Sequence, residues 1–172
     1  MLMRGFLLVE GPHDEEVINH FYEDELKRRR LGVLPMWGFK GLKLLDTRYL
    51  CYSDRPIVML FDNIPVDHSR EQQSMEEREL KRIKRELREA TFPFLSTGHK
   101  ELDIIFTLPE VVVKRYLESK GINDTFEGGW KQIQQEIRSD SSLKTGTKKK
   151  TKAGQLLGLP NPEDLIYFPN FI

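Results

Sequence analysis

Two carboxylates in this sequence close apolar runs: Glu10 follows Leu7-Leu8-Val9, and Asp62 follows Ile57-Val58-Met59-Leu60-Phe61. A continuous apolar run bounded by a turn reads as a strand covered on both faces, as in a parallel sheet. Parallel neighbouring strands would carry both acids to one edge, and the carboxyl edge is where open α/β sheets hold their ligands. Carboxylates that converge there repel one another unless a proton or a cation lies between them. An all-oxygen set suits a hard divalent ion, Mg²⁺ or Mn²⁺, shared with a substrate phosphate. Asp14, four residues beyond Glu10, and Asn63, a neutral oxygen donor beside Asp62, extend the candidate ligand set. Each acid also has an ordinary alternative: Glu10 as a solvated strand end, Asp14 as a charge complementing a helix dipole.

The elements that must position these acids follow along the chain. Gly11 and Pro12 read as a sharp turn into a helix, the glycine for backbone freedom and the proline for the first helical position. Val17, Ile18, Phe21, Tyr22 and Leu26 recur at helical spacing and predict a helix from Asp14 to about Arg29, closed by a basic Arg28-Arg29-Arg30 end and stopped by Gly32. Val33 to Trp37 predicts a short strand, and Pro35 suits a sheet edge. Gly38-Phe39-Lys40-Gly41 is a glycine-rich turn that lets backbone approach a phosphate, with Lys40 as a candidate anion contact. A charged helix is predicted from Arg70 to about Ala90, with a narrow apolar stripe of Leu80, Ile83 and Leu87. Leu102 to Phe106 predicts a further strand, with Phe92 to Leu95 as another short one. Thr107 and Glu110 have capping-box spacing for a helix that Gly121 stops. Gly128-Gly129-Trp130 opens the next helix, with Ile133 and Ile137 on one side.

Ser139 to Gly154 reads as a polar, lysine-rich segment. Lys148, Lys149, Lys150 and Lys152, with Lys144 before them, form the strong local positive patch of the chain. As a loop it is either a solvated surface or an arm that touches a phosphate backbone without reading sequence. Over the whole chain charge is balanced, 27 basic against 27 acidic residues, so any affinity for nucleic acid must come from such a patch or from bound metal. A single cysteine, Cys51, excludes an internal disulfide framework and fits a packing role in a reducing, cytoplasmic setting. No apolar stretch is long enough to span a membrane, and the first one meets Glu10 too early for a signal peptide. At 172 residues the chain suits one compact α/β domain over residues 1–120, with a helical or irregular extension over 121–172 that packs on the same domain and carries the lysines.

Taken together, Leu7-Leu8-Val9-Glu10-Gly11-Pro12-His13-Asp14 and Val58-Met59-Leu60-Phe61-Asp62-Asn63 resemble the two motifs of a Toprim domain, and the Gly38–Gly41 turn between them sits where OLD-type members carry a glycine-rich turn. The family includes bacterial primases, type IA and type II topoisomerases, ribosomal RNA maturases and OLD-family nucleases. The resemblance covers residues 4–115 and implies a compact, Rossmann-like, mostly parallel sheet flanked by helices. It also implies Mg²⁺-dependent cleavage of nucleic-acid phosphodiesters by a metal-binding endonuclease of the hydrolase class. In that reading Glu10 matches the glutamate with an acid/base or metal-linked role, Asp62 the first aspartate of the Asp-x-Asp motif, and Asp14 an acidic position retained by OLD-like members. The second aspartate of Asp-x-Asp falls at Ile64, which cannot bind metal; Asp67 and His68 lie just beyond. Ile64 supports an alternative, a catalytically degenerate Toprim-like module that binds nucleic acid or a partner protein. OLD-like Toprim domains often act beside an ATPase. This sequence has no Gly-x₄-Gly-Lys-Ser/Thr loop, so such a partner would be another chain.

Overall fold

The computed structural model describes residues 2–37, 41, 55–61, 70–89, 94–98, 103–122, 126 and 128–161. They belong to two compact units, Met1–Leu102 and Asp103–Ile172.

The first unit is built on two strand–helix–strand repeats. Strand β1 (Gly5–Val9) leads through helix α1 (Pro12–Arg29) to β2 (Leu31–Pro35), and β3 (Ile57–Phe61) leads through α2 (Arg70–Glu89) to β4 (Phe94–Gly98). The sheet order is β2-β1-β3-β4 and each neighbouring pair is parallel. This is the α/β fold with a parallel sheet that the apolar runs predict, and β2 with its Pro35 is an edge strand. Successive strand residues face opposite sides of a sheet. Leu8 and Val9 are both buried, so the carboxyl end of β1 is covered on both faces. Val17 and Ile18 of α1, Val33 of β2, Ile57 and Met59 of β3, and Ile83 and Leu87 of α2 are buried with them in the core of this unit. Helix α2 also carries ion pairs: Arg82 with Glu79 and Glu86, half-buried, and Glu77 with Lys81, exposed.

Helix α1 ends differently from the sequence expectation. Arg30 takes the left-handed cap position at φ 58°, and Gly32 belongs to β2. A Cβ at Gly32 would meet the Phe6 ring at 3.0 Å, so this glycine serves close strand packing rather than helix termination. The extended φ of −146° at Gly11 likewise shows that the turn after Glu10 needs no special backbone freedom.

The second unit assembles around a 3-10 helix, Ile104–Thr107. Helices α3 (Glu110–Ser119), α4 (Gly129–Ser139) and α5 (Gly146–Leu156) follow, and Ile105, Val113, Trp130, Ile137, Ala153 and Leu157 form the core. The division between units falls before this 3-10 helix, not after residue 120, because α3 packs on α4 and α5 packs on the 3-10 helix. Three local expectations are corrected here. Residues 104–107 are helical rather than a strand, because the Asp103 carboxylate accepts the Ile105 N–H at 3.0 Å and caps a helical turn. Thr107 does not cap α3: Leu108 is held extended (ψ 122°) by the proline that follows, so the helix starts at Glu110 after Pro109. The lysine-rich segment is not a loop, since Thr145 caps α5 by accepting the Lys148 N–H at 3.2 Å. Gly121, at φ 69°, stops α3 as expected.

Candidate functional site

Sheet connectivity selects one edge of the first unit. From β1 the chain crosses to β2 on one side, whereas β3 lies on the other side of β1 and crosses outward to β4. The gap between β1 and β3 is therefore the point where connections diverge, and the carboxyl end of such a gap is the usual ligand crevice of an open α/β sheet. Val9 pairs with Leu60, so continuing the register sets Glu10 level with Phe61, the residue before Asp62 in sequence. Glu10 is partly exposed at the end of a strand whose last residues are fully buried. Of the described candidates it is the best placed to hold a cation.

Helix α1 begins at this same edge. Pro12 occupies its first turn, and the Asp14 carboxylate, 6% exposed, accepts the Gly11 N–H at 2.9 Å. That bond is one half of a capping box; Gly11 has no side chain to supply the other half. Asp14 thus has a structural task at the helix start, which a second, metal-binding role would have to share. Glu15 and Glu16 add negative charge in the same turn. Burial first, and the Glu16 charge second, raise the Glu15 carboxyl above its ordinary value.

Asp62, Asn63, Ile64, Asp67 and His68 lie outside the described residues, as do Gly38, Phe39 and Lys40 of the glycine-rich turn, Cys51 and the apolar tail at 165–168. Among the described residues, no three His, Cys, Asp or Glu side chains are gathered as a metal site. One surface pocket, of about 280 Å³, is lined by Met3, Asn19, Leu26, Arg30 and Leu31, at the opposite end of α1 from Glu10.

The lysines of α5 are sorted by the helix. Lys150 forms an ion pair with the buried Asp103 at 3.3 Å. Lys149 donates to the backbone carbonyl of Arg138, at the end of α4 where basic groups are favourable. Lys148 and Lys152 are exposed. Sequence reasoning missed the group that ties this unit together. Besides Asp103, it includes Gln134, which donates to Phe106 O at 3.3 Å, and Arg138, which donates to the same carbonyl at 3.2 Å and lies over the Phe106 ring. An aspartate immediately before a short apolar run was the available signal.

No family model matches the chain, and no curated protein matches it. Among solved structures, the chain is similar to the C-terminal region of the Xanthomonas campestris pv. campestris OLD protein at 14% identity and a TM-score of 0.35, over 92% of this chain and 81% of that one. The strand order and register of the first unit stand independently of that likeness. No described helix is long and apolar enough to cross a membrane.

Proposed function

We propose that the chain is a Toprim-like, OLD-type nuclease module that cleaves nucleic-acid phosphodiester bonds with Mg²⁺ or Mn²⁺. The observation that carries this reading is Glu10, a half-buried acid just past the carboxyl end of β1, beside the gap where the sheet connections diverge. The donor chemistry fits a hard cation: Glu10, with Asp62 and Asn63 from the sequence and Asp14 at the helix start, offers oxygen only. Such an ion would neutralise charge on the scissile phosphate and acidify an attacking water. Glu10 shares the hold on it or takes the proton that the water loses. The start of α1 turns backbone N–H groups towards the same edge, a position that favours a phosphate once the surrounding acids are neutralised.

The test is Glu10→Gln, which keeps the side-chain size and removes its charge. Loss of a general acid–base group lowers cleavage by about 10²-fold or more. Unchanged metal-dependent cleavage in the variant would overturn the proposal. Ile64 favours a second reading, a non-catalytic Toprim-like module that binds nucleic acid or a partner protein, which failure of both ions to bind would select.

A further inference from the structure

The five lysines between residues 144 and 152 do two different jobs, and helix geometry separates them. At about 100° per residue, Lys148 and Lys152 lie only about 40° apart on α5, and Gln155 falls beside them. That face is exposed, whereas Ala153, Gly154 and Leu157 on the other side are buried. Lys149 and Lys150 stand towards the buried side, and both are spent on internal contacts, with Arg138 O and Asp103. Among the described residues, no ion pair involves Lys144, Lys148 or Lys152, and no acidic residue occurs in the sequence between Asp140 and Glu163.

For the isolated protein this arrangement is unfavourable. Lysines in the first turns of a helix oppose its dipole, and like charges four apart repel. The internal contacts of Lys149 and Lys150 offset that cost for those two residues, while Lys148 and Lys152 are exposed and make no such contact among the described residues. A ligand carrying closely spaced negative charges removes the penalty.

We infer that the outer face of α5, with Lys144, Lys148 and Lys152, is a sequence-independent contact for a nucleic-acid backbone, and that Lys149 and Lys150 take no part in it. The inference deepens the nucleic-acid reading above by assigning substrate contact to a defined helix face in the second unit. Phosphates along a strand repeat at a spacing that exposed lysines on flexible stems can follow, and such contacts position a substrate without reading bases.

The experiment is fluorescence-anisotropy binding of the full chain to a labelled single strand and to a duplex, in EDTA, across a salt series. EDTA removes metal and cleavage from the readout, so this binding assay tests the lysine face alone, and failure of the metal site, read separately as metal-dependent cleavage, is distinguishable from failure of this face. The triple variant Lys144→Gln/Lys148→Gln/Lys152→Gln is compared with Lys114→Gln/Arg115→Gln/Lys120→Gln, which removes the same charge from α3. In the α5 variant the slope of log affinity against log salt becomes shallower by about 3 on duplex and about 2 on single strand. Its melting temperature is unchanged or raised, and Lys149→Gln lowers melting temperature without changing the slope. An unchanged slope in the α5 variant, an equal loss in the α3 variant, or no binding by the wild type at about 50 mM salt overturns the inference. Retention on phosphatidylserine vesicles in place of nucleic acid does so as well.

Discussion

Replacing Asp103 by alanine should destabilise the second unit by about 2–4 kcal/mol. The Asp103 carboxylate caps the 3-10 helix through the Ile105 N–H at 3.0 Å and pairs with Lys150 at 3.3 Å, with the Asp103 side chain 5% and the Lys150 side chain 27% exposed. Losing the cap costs about 1 kcal/mol. Stranding Lys150 costs about 1–2 kcal/mol, below the usual 3–5 for a fully buried partner, because part of its stem reaches solvent. The void left by the carboxylate adds less than about 1 kcal/mol. Asp103→Asn keeps the cap and the volume, so only the charge contribution is lost, about 1–2 kcal/mol. Trp37 and Trp130 are the two tryptophans of the chain, and Trp130 is buried in the second unit. In a Trp37→Phe background, urea unfolding followed by Trp130 fluorescence therefore reports that unit. A loss below about 0.5 kcal/mol for Asp103→Ala, the ordinary surface range, would refute the reasoning. So would simple additivity in a double-mutant cycle with Lys150→Met.

Three further outcomes follow from local geometry. Gly154→Ala should stabilise the second unit by about 0.5–1 kcal/mol in the same assay, because the new Cβ lies 3.6 Å from Leu159 and meets only ordinary contacts inside a helix. Asp140 is held below its ordinary carboxyl value of 3.8, first by the Ser142 hydroxyl, then by the Ser142 and Leu143 N–H groups and the Lys149 charge. Its stabilising contribution is therefore full above pH 3.8 and is lost as pH falls through the lower folded value; an NMR titration should show the depressed carboxyl, and Ser142→Ala should raise it. Asp14→Ala should lower the first unit's stability by about 1–2 kcal/mol through loss of the α1 cap, even without metal; a loss seen only with Mg²⁺ present would mark Asp14 as a ligand instead.

The first unit was legible where one physical signal dominated. Leu7-Leu8-Val9 and Ile57 to Phe61 read as strands, Pro35 as an edge, and Ile83 and Leu87 as the inward stripe of a charged helix, and the structure has each of these; double cover holds at Leu8 and Val9, whereas in β3 Ile57 and Met59 are buried and Val58 and Leu60 only half-buried. The switch between β1 and β3 was beyond reach, since strand order is a long-range property that no local pattern contains. The second unit was less legible because short apolar runs are ambiguous. Ile104-Ile105-Phe106 has the composition of a strand, and only the Asp103 cap decides for a helical turn. Helix α5 hides in its sequence because its stripe is lysine rather than leucine; Thr145 at the cap and the absence of proline before Pro160 were the usable signals. Capping-box spacing at Thr107 misled because Pro109 fixes Leu108 in an extended conformation.

The central claim, a cation site at the carboxyl edge that depends on Glu10, is tested most directly by thermal unfolding with and without Mg²⁺ or Mn²⁺. A site with a dissociation constant near 1 mM, at about 10 mM metal, stabilises the native state by about 1.4 kcal/mol. For a chain of this length that corresponds to a rise of about 3–6 °C. The expected result is that rise in the wild type and its loss in Glu10→Gln. An equal rise in both proteins, or no rise in either, would contradict the assignment of Glu10.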